Sequence, residues 1–369
     1  MRVLGLTTFD RYLIRQFLVS YLICFVSLVS LYVVIDAFTN FDEFSEVASG
    51  IGELIQVMAT YYGCRITLIF DRLAGVITLL AAMFVLGWLR RHNELVPFLS
   101  AGITTWRVIG AVILGAIFVN SLMVANQELV IPAIGERLLW SPDDPDGTKA
   151  ETAEGAYDSN GVLVAGKSVD RGRSTLHRVT LVLPRHVAGR LLTVYAERAI
   201  YQQPARSGEP GRWILVQPDP PEIPELPGIL VKGERNGTYV LYSDVSLRDV
   251  IAGENWMYLE PTRNLLAKLA QGDIPRRAEM ETLVHRRLTR PLLNIVMLFL
   301  GLPLVLGAEN RRIFWNLGLC LALSCTLHGI DYAAQTLAAH ELISPPLAAW
   351  TPVLLFGPIA AALHDFVQT

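Results

Sequence analysis

Between Phe17 and Ile35 the chain carries no charged residue. At 1.5 Å per residue, a helix built from that run is about as long as the hydrocarbon core of a bilayer is thick. Inside hydrocarbon every backbone N–H and C=O must be satisfied within the segment, so a lone segment can cross only as a helix. Arg2, Arg11 and Arg15 precede the run. It is long for the apolar part of a signal peptide, and no small-x-small site closes it. The expectation is a retained first membrane span.

Counting flanking turns, six segments meet the length requirement: about 13–36, 66–89, 105–126, 287–307, 313–337 and 345–366. Charged residues make up 18% of the 369 residues, below the roughly 25% of soluble domains. A net charge of -3 argues against a general nucleic-acid binder, which needs a basic excess. Cys24, Cys64, Cys320 and Cys325 lie in or beside apolar segments, a pattern that offers neither a disulfide framework nor zinc-ligand spacing.

The middle, about 138–262, differs in kind. Short β-prone runs, Val162–Ala165, Val179–Leu183, Leu191–Tyr195, Trp213–Val216 and Tyr239–Tyr242, alternate with turn formers such as Asp158-Ser159-Asn160-Gly161 and the proline-rich piece Pro218–Pro227. Such strands predict a β-sandwich or jelly roll. The fold class expected is therefore an α-helical membrane protein with an inserted all-β domain. Residues 1–137 carry spans one to three, 138–262 the β domain, and 263–369 a connecting helix and spans four to six. That connecting helix is Pro261 to Ala270, with Pro at its first turn and Gly272 ending it.

Arginines before the first span and Asp36, Asp42, Glu43 and Glu46 after it put the N-terminus in the cytoplasm. With six spans the C-terminus is cytoplasmic too, and the β domain lies outside. Arg276, Arg277, Arg286, Arg287 and Arg290 then crowd the outer approach to span four, against the positive-inside trend. That placement suggests an anionic ligand there, with Arg137 beside span three as a further candidate. The alternative is ordinary headgroup contact or pairing with Glu279 and Glu281. Asp71-Arg72, near the outer border of span two, reads as a structural pair. His328 and Asp331, three apart on span five, share a face and are expected to hydrogen-bond beside a partly wet cavity; the alternative is a proton relay.

Between spans two and three, residues 90–107 must turn and re-enter the membrane. The stretch reads as a surface helix, about 90–103, ended by Gly102 and carrying one acid, Glu94, among apolar groups. It is either a docking key for a soluble partner or only a tight interfacial turn.

The segment "RRHNELVPFLSAGIT" resembles the arginine-rich, Glu-Leu, Leu-x-x-x-Gly stretch of the LptF/LptG (YjgP/YjgQ) lipopolysaccharide export permeases. Four further pieces agree in order: "DRYLIRQFL", "NQELVIPAI" (126–134), "HRRLTRPL" (285–292) and "LISPPLAAWTPVLLF" (342–356). The resemblance implies a permease subunit that pairs with a second LptF/LptG-type permease on a cytoplasmic dimeric ABC ATPase in the bacterial inner membrane. It implies lipopolysaccharide, or a related glycolipid, moving from the outer leaflet of that membrane to periplasmic jelly-roll bridge proteins. Glu94, Leu95, Leu99 and Gly102 would couple to the ATPase, and Arg137, Arg286, Arg287 and Arg290 would meet lipid phosphates. The family's G-type members have a lysine near the outer end of helix one, where this chain reads Val34-Ile35-Asp36-Ala37-Phe38.

No Gly-x4-Gly-Lys-Ser/Thr loop is present, so ATP binding in that manner belongs to a separate chain. The sequence shows no Ser/His/Asp set, metal cluster or cofactor cradle, which predicts a non-catalytic subunit without a cofactor. Within the β domain, Leu181, Leu183, Val194 and Val216, with Leu163 and Ile214, would line an acyl-chain slot if they face inward. The rival reading is a scaffold that passes ATPase motion to a protein-binding outer domain and moves no lipid.

Overall fold

The computed structural model describes residues 7–48, 50–94, 97, 100, 102, 104–139, 151–153, 155–170, 172–204, 210–233, 237–252, 256–270, 276–306 and 313–368. They form two compact units: Met1–Thr39, Arg65–Ile131 and Glu281–Thr369 in one, and Asn40–Cys64 with Pro132–Met280 in the other.

The first unit is helical, and the second adds the short helices at 41–47 and 262–270, with the start of the long helix at 51–91, to its strands. Helix α1 (Thr8–Thr39) begins at a capping box: Asp10 N–H donates to Thr7 Oγ1, while Asp10 Oδ2 accepts from Thr7 N–H at 2.8 Å. After the short α2 (Phe41–Val47), α3 (Ile51–Arg91) has 41 residues, about 60 Å of helix. The expected span 66–89 is thus only its second part, because Glu53 and Arg65 break the apolar run without breaking the helix. Helix α4 (Thr105–Ala125) runs into a π-helical turn at Asn126–Val130. Beyond the β strands come α5 (Thr262–Ala270), α6 (Arg277–Leu306), α7 (Ile313–Ala339) and α8 (Pro345–Gln368). Pro261 directly precedes α5, as expected, and Gly272 lies outside the described residues.

Among the described residues four helices are long and apolar enough to cross a membrane: Thr8–Thr39, Ile51–Arg91, Trp106–Ala133 and Pro345–Leu363. The expected spans four and five coincide with α6 and α7; α6 starts at Arg277, ten residues early, and carries its arginines within the helix. One core draws on all six long helices: Leu13 and Phe17 of α1, Ile77 and Leu86 of α3, Val112 of α4, Met297 of α6, Cys320 and Leu327 of α7, and Phe356 of α8. Close approach sets two glycines. A Cβ on Gly115 would lie 2.5 Å from Phe17 Cδ1, and one on Gly75 2.2 Å from Asn294 Oδ1.

The second unit holds a sheet of nine strands: β1 (Glu151–Thr152), β2 (Ala156–Tyr157), β3 (Leu163–Ala165), β4 (Ser168–Asp170), β5 (Thr175–Leu183), β6 (Leu192–Gln202), β7 (Gly211–Asp219), β8 (Leu230–Lys232) and β9 (Thr238–Ser243). The antiparallel order is β1-β4-β5-β6-β7-β9-β8, and β3 pairs with both β2 and β5. All five expected β runs fall on strands. β5, β6, β7 and β9 run longer because cross-strand partners extend them past the apolar residues, whereas β3 starts one residue after its expected run.

A crease crosses β5, β6 and β7. Pairs His177↔Arg198 and Val179↔Ala196 flank Arg178 and Glu197; pairs Ala196↔Pro218 and Arg198↔Val216 flank Glu197 and Gln217. Arg178 and Gln217 have φ of 50° and 53°. In a regular strand alternate residues face one side. Here the buried set changes phase at the crease, from Leu176 to Val179, from Ala196 to Ala199, and from Leu215 to Pro218. A left-handed residue in a strand turns the following side chains over, as in a bulge. The apolar face therefore stays continuous while the sheet bends. On it, Trp213 is fully buried and its indole N–H donates to Val245 O at 2.9 Å.

Candidate functional site

The turn after α3 is built from a helix end. Asn93 N–H donates to Arg90 O at 3.1 Å and Glu94 N–H to Leu89 O at 2.9 Å, with Asn93 at φ 58°. These are the two bonds of a Schellman cap, with Asn in the left-handed position. Arg90 and Arg91 thus form the last turn of α3, where their charge complements the helix dipole, and they do not open a surface helix as expected. Glu94 is the first residue after the cap. Its half-buried carboxylate accepts from Tyr12 Oη at 3.1 Å, a partner the sequence did not indicate. Pro97 and Ser100 are helical, and Gly102 has φ 79°, as suits a residue ending a turn of helix. Leu95 and Leu99 lie outside the described residues.

At the far end of this turn Arg107, in the first turn of α4, reaches back to α1. Its Nε lies 3.5 Å from Asp10 Oδ1, and its Nη2 donates to Thr7 Oγ1 at 3.2 Å. Both ends of the 93–107 segment are therefore bonded to the first turns of α1.

The arginines of α6 form a second constellation. Arg290 Nη1 is 2.6 Å from Asp71 Oδ2 of α3, and its Nη2 also donates to the Asp71 carbonyl. Arg287 Nη1 is 3.7 Å from Glu128 Oε1 in the π-helical turn, and the side chain is only 4% exposed. Arg286 Nη2 is 3.2 Å from Asp331 Oδ2 of α7. Three cations on one helix thus meet one acid on each of three other elements, which keeps a polar cluster neutral among apolar helices. Close by in sequence, Asn294 Nδ2 of α6 donates to Asn120 Oδ1 of α4 at 2.8 Å.

These pairings correct two expectations. Asp71 pairs with α6 and not with its exposed neighbour Arg72, because successive helical residues point about 100° apart. Asp331 bonds Arg286 and Gln335, while the His328 ring lies 2.9 Å from the Ser324 carbonyl, so the two do not form the expected pair. The alternative of pairing with Glu279 holds for Arg276, at 2.5 Å, while Arg286, Arg287 and Arg290 take partners within the bundle. Arg137 stands exposed in a short helical turn, Gly135–Leu138, of the other unit.

In the β unit, Leu181, Leu183 and Val194 are brought together in the buried core, in contact range across β5 and β6. Val216 is not among them: with Ile214 and Leu163 it has the opposite alternation to Trp213, Leu215 and Val164. Asp158 is buried at the β2–β3 turn, where it accepts from Val162 N–H at 2.8 Å, Asn160 N–H at 2.9 Å and Ser243 Oγ at 3.2 Å. Burial, with Asp244 nearby, pushes its carboxyl above the ordinary carboxylate value, although the two amide bonds oppose the shift. No group of three or more His, Cys, Asp or Glu suited to a metal ion occurs among the described residues.

The acids at 71, 128 and 331 were the one legible signal for the ionic cluster. Each lies in a charge-poor stretch of helix, Asp71 beside Arg72, and such residues are generally paired. Tyr12, Asp10 and Arg107 gave none.

Residues 11–364 match the family described as lipopolysaccharide export system permease LptF/LptG. A search of curated proteins gives no match to the chain.

Proposed function

The chain belongs to the LptF/LptG family of inner-membrane lipopolysaccharide export permeases, and on that premise we propose that it is the transmembrane subunit of an ABC-type lipid extractor driven by a separate ATPase. The observation that carries the reading is a family match that extends from residue 11 to residue 364, a range that includes both helical segments and the β insertion. We propose six spans in a 3+3 arrangement, with both termini cytoplasmic and a periplasmic jelly-roll-like domain over about 138–262. A second LptF/LptG-type permease and an ATPase dimer complete the assembly. ATP-driven closure moves lipopolysaccharide from the outer leaflet of the inner membrane into the β domain and on to periplasmic jelly-roll proteins.

Within this reading the 93–104 turn, with Glu94, Leu95, Leu99 and Gly102, docks on the ATPase. Lipid phosphates meet the part-exposed Arg286 and Arg290, whose partners Asp331 and Asp71 hold the guanidinium groups in the lipid-free state, and separately Arg137. Arg287, being the most enclosed of the set, serves the bundle itself. The acyl slot follows the core side of the sheet at Leu181, Leu183 and Val194, and Val216 reports on the opposite side.

Site-specific photo-crosslinking in cells tests this. A photoreactive residue replaces Leu183 in one strain and Val216 in another. A glycolipid adduct at 183 that needs ATP and disappears with Glu94→Ala is the expected result. Protein adducts alone at both positions would refute lipid passage and favour the scaffold reading.

A further inference from the structure

Two contacts join α1 to the turn between α3 and α4, and they are far apart in sequence. Tyr12 and Glu94 are separated by 82 residues, and Asp10 and Arg107 by 97. On α1, the three residues involved, Thr7, Asp10 and Tyr12, span less than two turns. We propose that Tyr12 is a positioning residue for Glu94, and that the first turns of α1 take up the motion of the 93–107 turn and pass it along that helix. This rests on the reading that Glu94 docks on the ATPase.

The backbone of Glu94 is fixed by the Schellman bonds, but its side chain still has three rotatable bonds. A hydroxyl donating to Oε2 selects one orientation without neutralising the carboxylate. Oε1 then stays available to a cation on a partner. An arginine in the place of Tyr12 would compete for the charge; a phenol does not. At the other end, Arg107 closes the segment onto Asp10, which is itself held by the capping box with Thr7. A force applied at either end of this segment therefore has a contact through which it reaches the start of α1. Helix α1 also has the smallest buried share of the four candidate spans, so it is the one its neighbours restrain least.

The test uses the full permease complex in lipid nanodiscs with its cognate ABC ATPase dimer. It compares wild type, Tyr12→Phe, Glu94→Ala and the double variant. The first readout is the apparent Kd of the ATPase for the permease, which needs no transport. Loss of one exposed hydrogen bond, at the ordinary about 1 kcal/mol, predicts a weakening of about 5-fold in Tyr12→Phe. Because Tyr12 acts through Glu94, the double variant should equal Glu94→Ala alone. The second readout is lipopolysaccharide released per ATP hydrolysed, expected to fall by a similar factor in Tyr12→Phe. A wild-type Kd in Tyr12→Phe overturns the proposal, as does an additive loss in the double variant. A wild-type complex that docks and hydrolyses ATP but releases no lipid would overturn the export reading; the positioning role is then judged on docking alone.

Discussion

Removing one partner of the Asp71–Arg290 pair should destabilise the helical unit far more than removing both. The pair is close, at 2.6 Å, and its side chains are 12% and 20% exposed. Asp71 Oδ1 has no hydrogen-bond partner among the described residues, so the carboxylate depends on Arg290. Arg290→Met leaves a buried acid without its cation, and Asp71→Leu leaves the converse; each should cost about 3 kcal/mol. The double variant replaces the pair with apolar volume and should fall within about 1 kcal/mol of wild type. For a unit of this size, about 3 kcal/mol lowers the midpoint by about 6–12 °C. Thiol-reactive fluorogenic dye melts can read this, because Cys320 is fully buried in the helical core and becomes reactive when the core opens. A Cys325→Ala background removes the thiol that is already exposed. If both single variants melt within about 2 °C of wild type, the pair does not hold α3 to α6. If the double variant shows the sum of the two losses, the residues act separately and the argument fails.

Three further outcomes are expected. Asp158 binds its proton more tightly folded than unfolded, so its contribution to β-unit stability rises as pH falls through the folded value towards the ordinary 3.8. Asp158→Asn removes that rise, and circular-dichroism melts from pH 7 to pH 4.5 should show the two proteins diverging towards acid; parallel curves would contradict the sign. On α4, Gly115→Ala drives a methyl into Phe17 and should cost about 1–3 kcal/mol, whereas Gly110→Ala meets nothing within 4 Å and should be neutral or stabilising by up to about 1 kcal/mol. Equal dye-melt midpoints for the two would refute the packing account. At the crease, Arg178→Gly relieves a left-handed conformation at φ 50° and should gain about 0.5–1 kcal/mol in chemical unfolding. A loss would mean that the Arg178 side chain, and not its backbone, holds the bend.

What was legible in the sequence rests on short-range repetition. Hydropathy over about twenty residues marked the long helices, since a bilayer-length helix needs an apolar surface whatever it packs against. Turn formers between β-prone runs marked the strands at β3, β5, β6, β7 and β9. The same local logic misjudged ends and faces. It marked only the second part of α3, because the charge of Arg65 interrupts an uncharged run while backbone hydrogen bonding continues back to Ile51. It grouped Val216 with Leu183, because nothing in the residues 178, 197 and 217 announces a crease that only adjacent strands reveal together.

By itself the sequence determined the helical ends, the β middle and the family, all properties that neighbouring residues express jointly. Only the tertiary structure decided which charges meet. Asp71 finds Arg290 across 219 residues and Glu94 finds Tyr12 across 82. Spacing along a helix fixes the direction a side chain points, but its partner is whatever the packing of other helices brings within about 3 Å, and no local pattern encodes that distance.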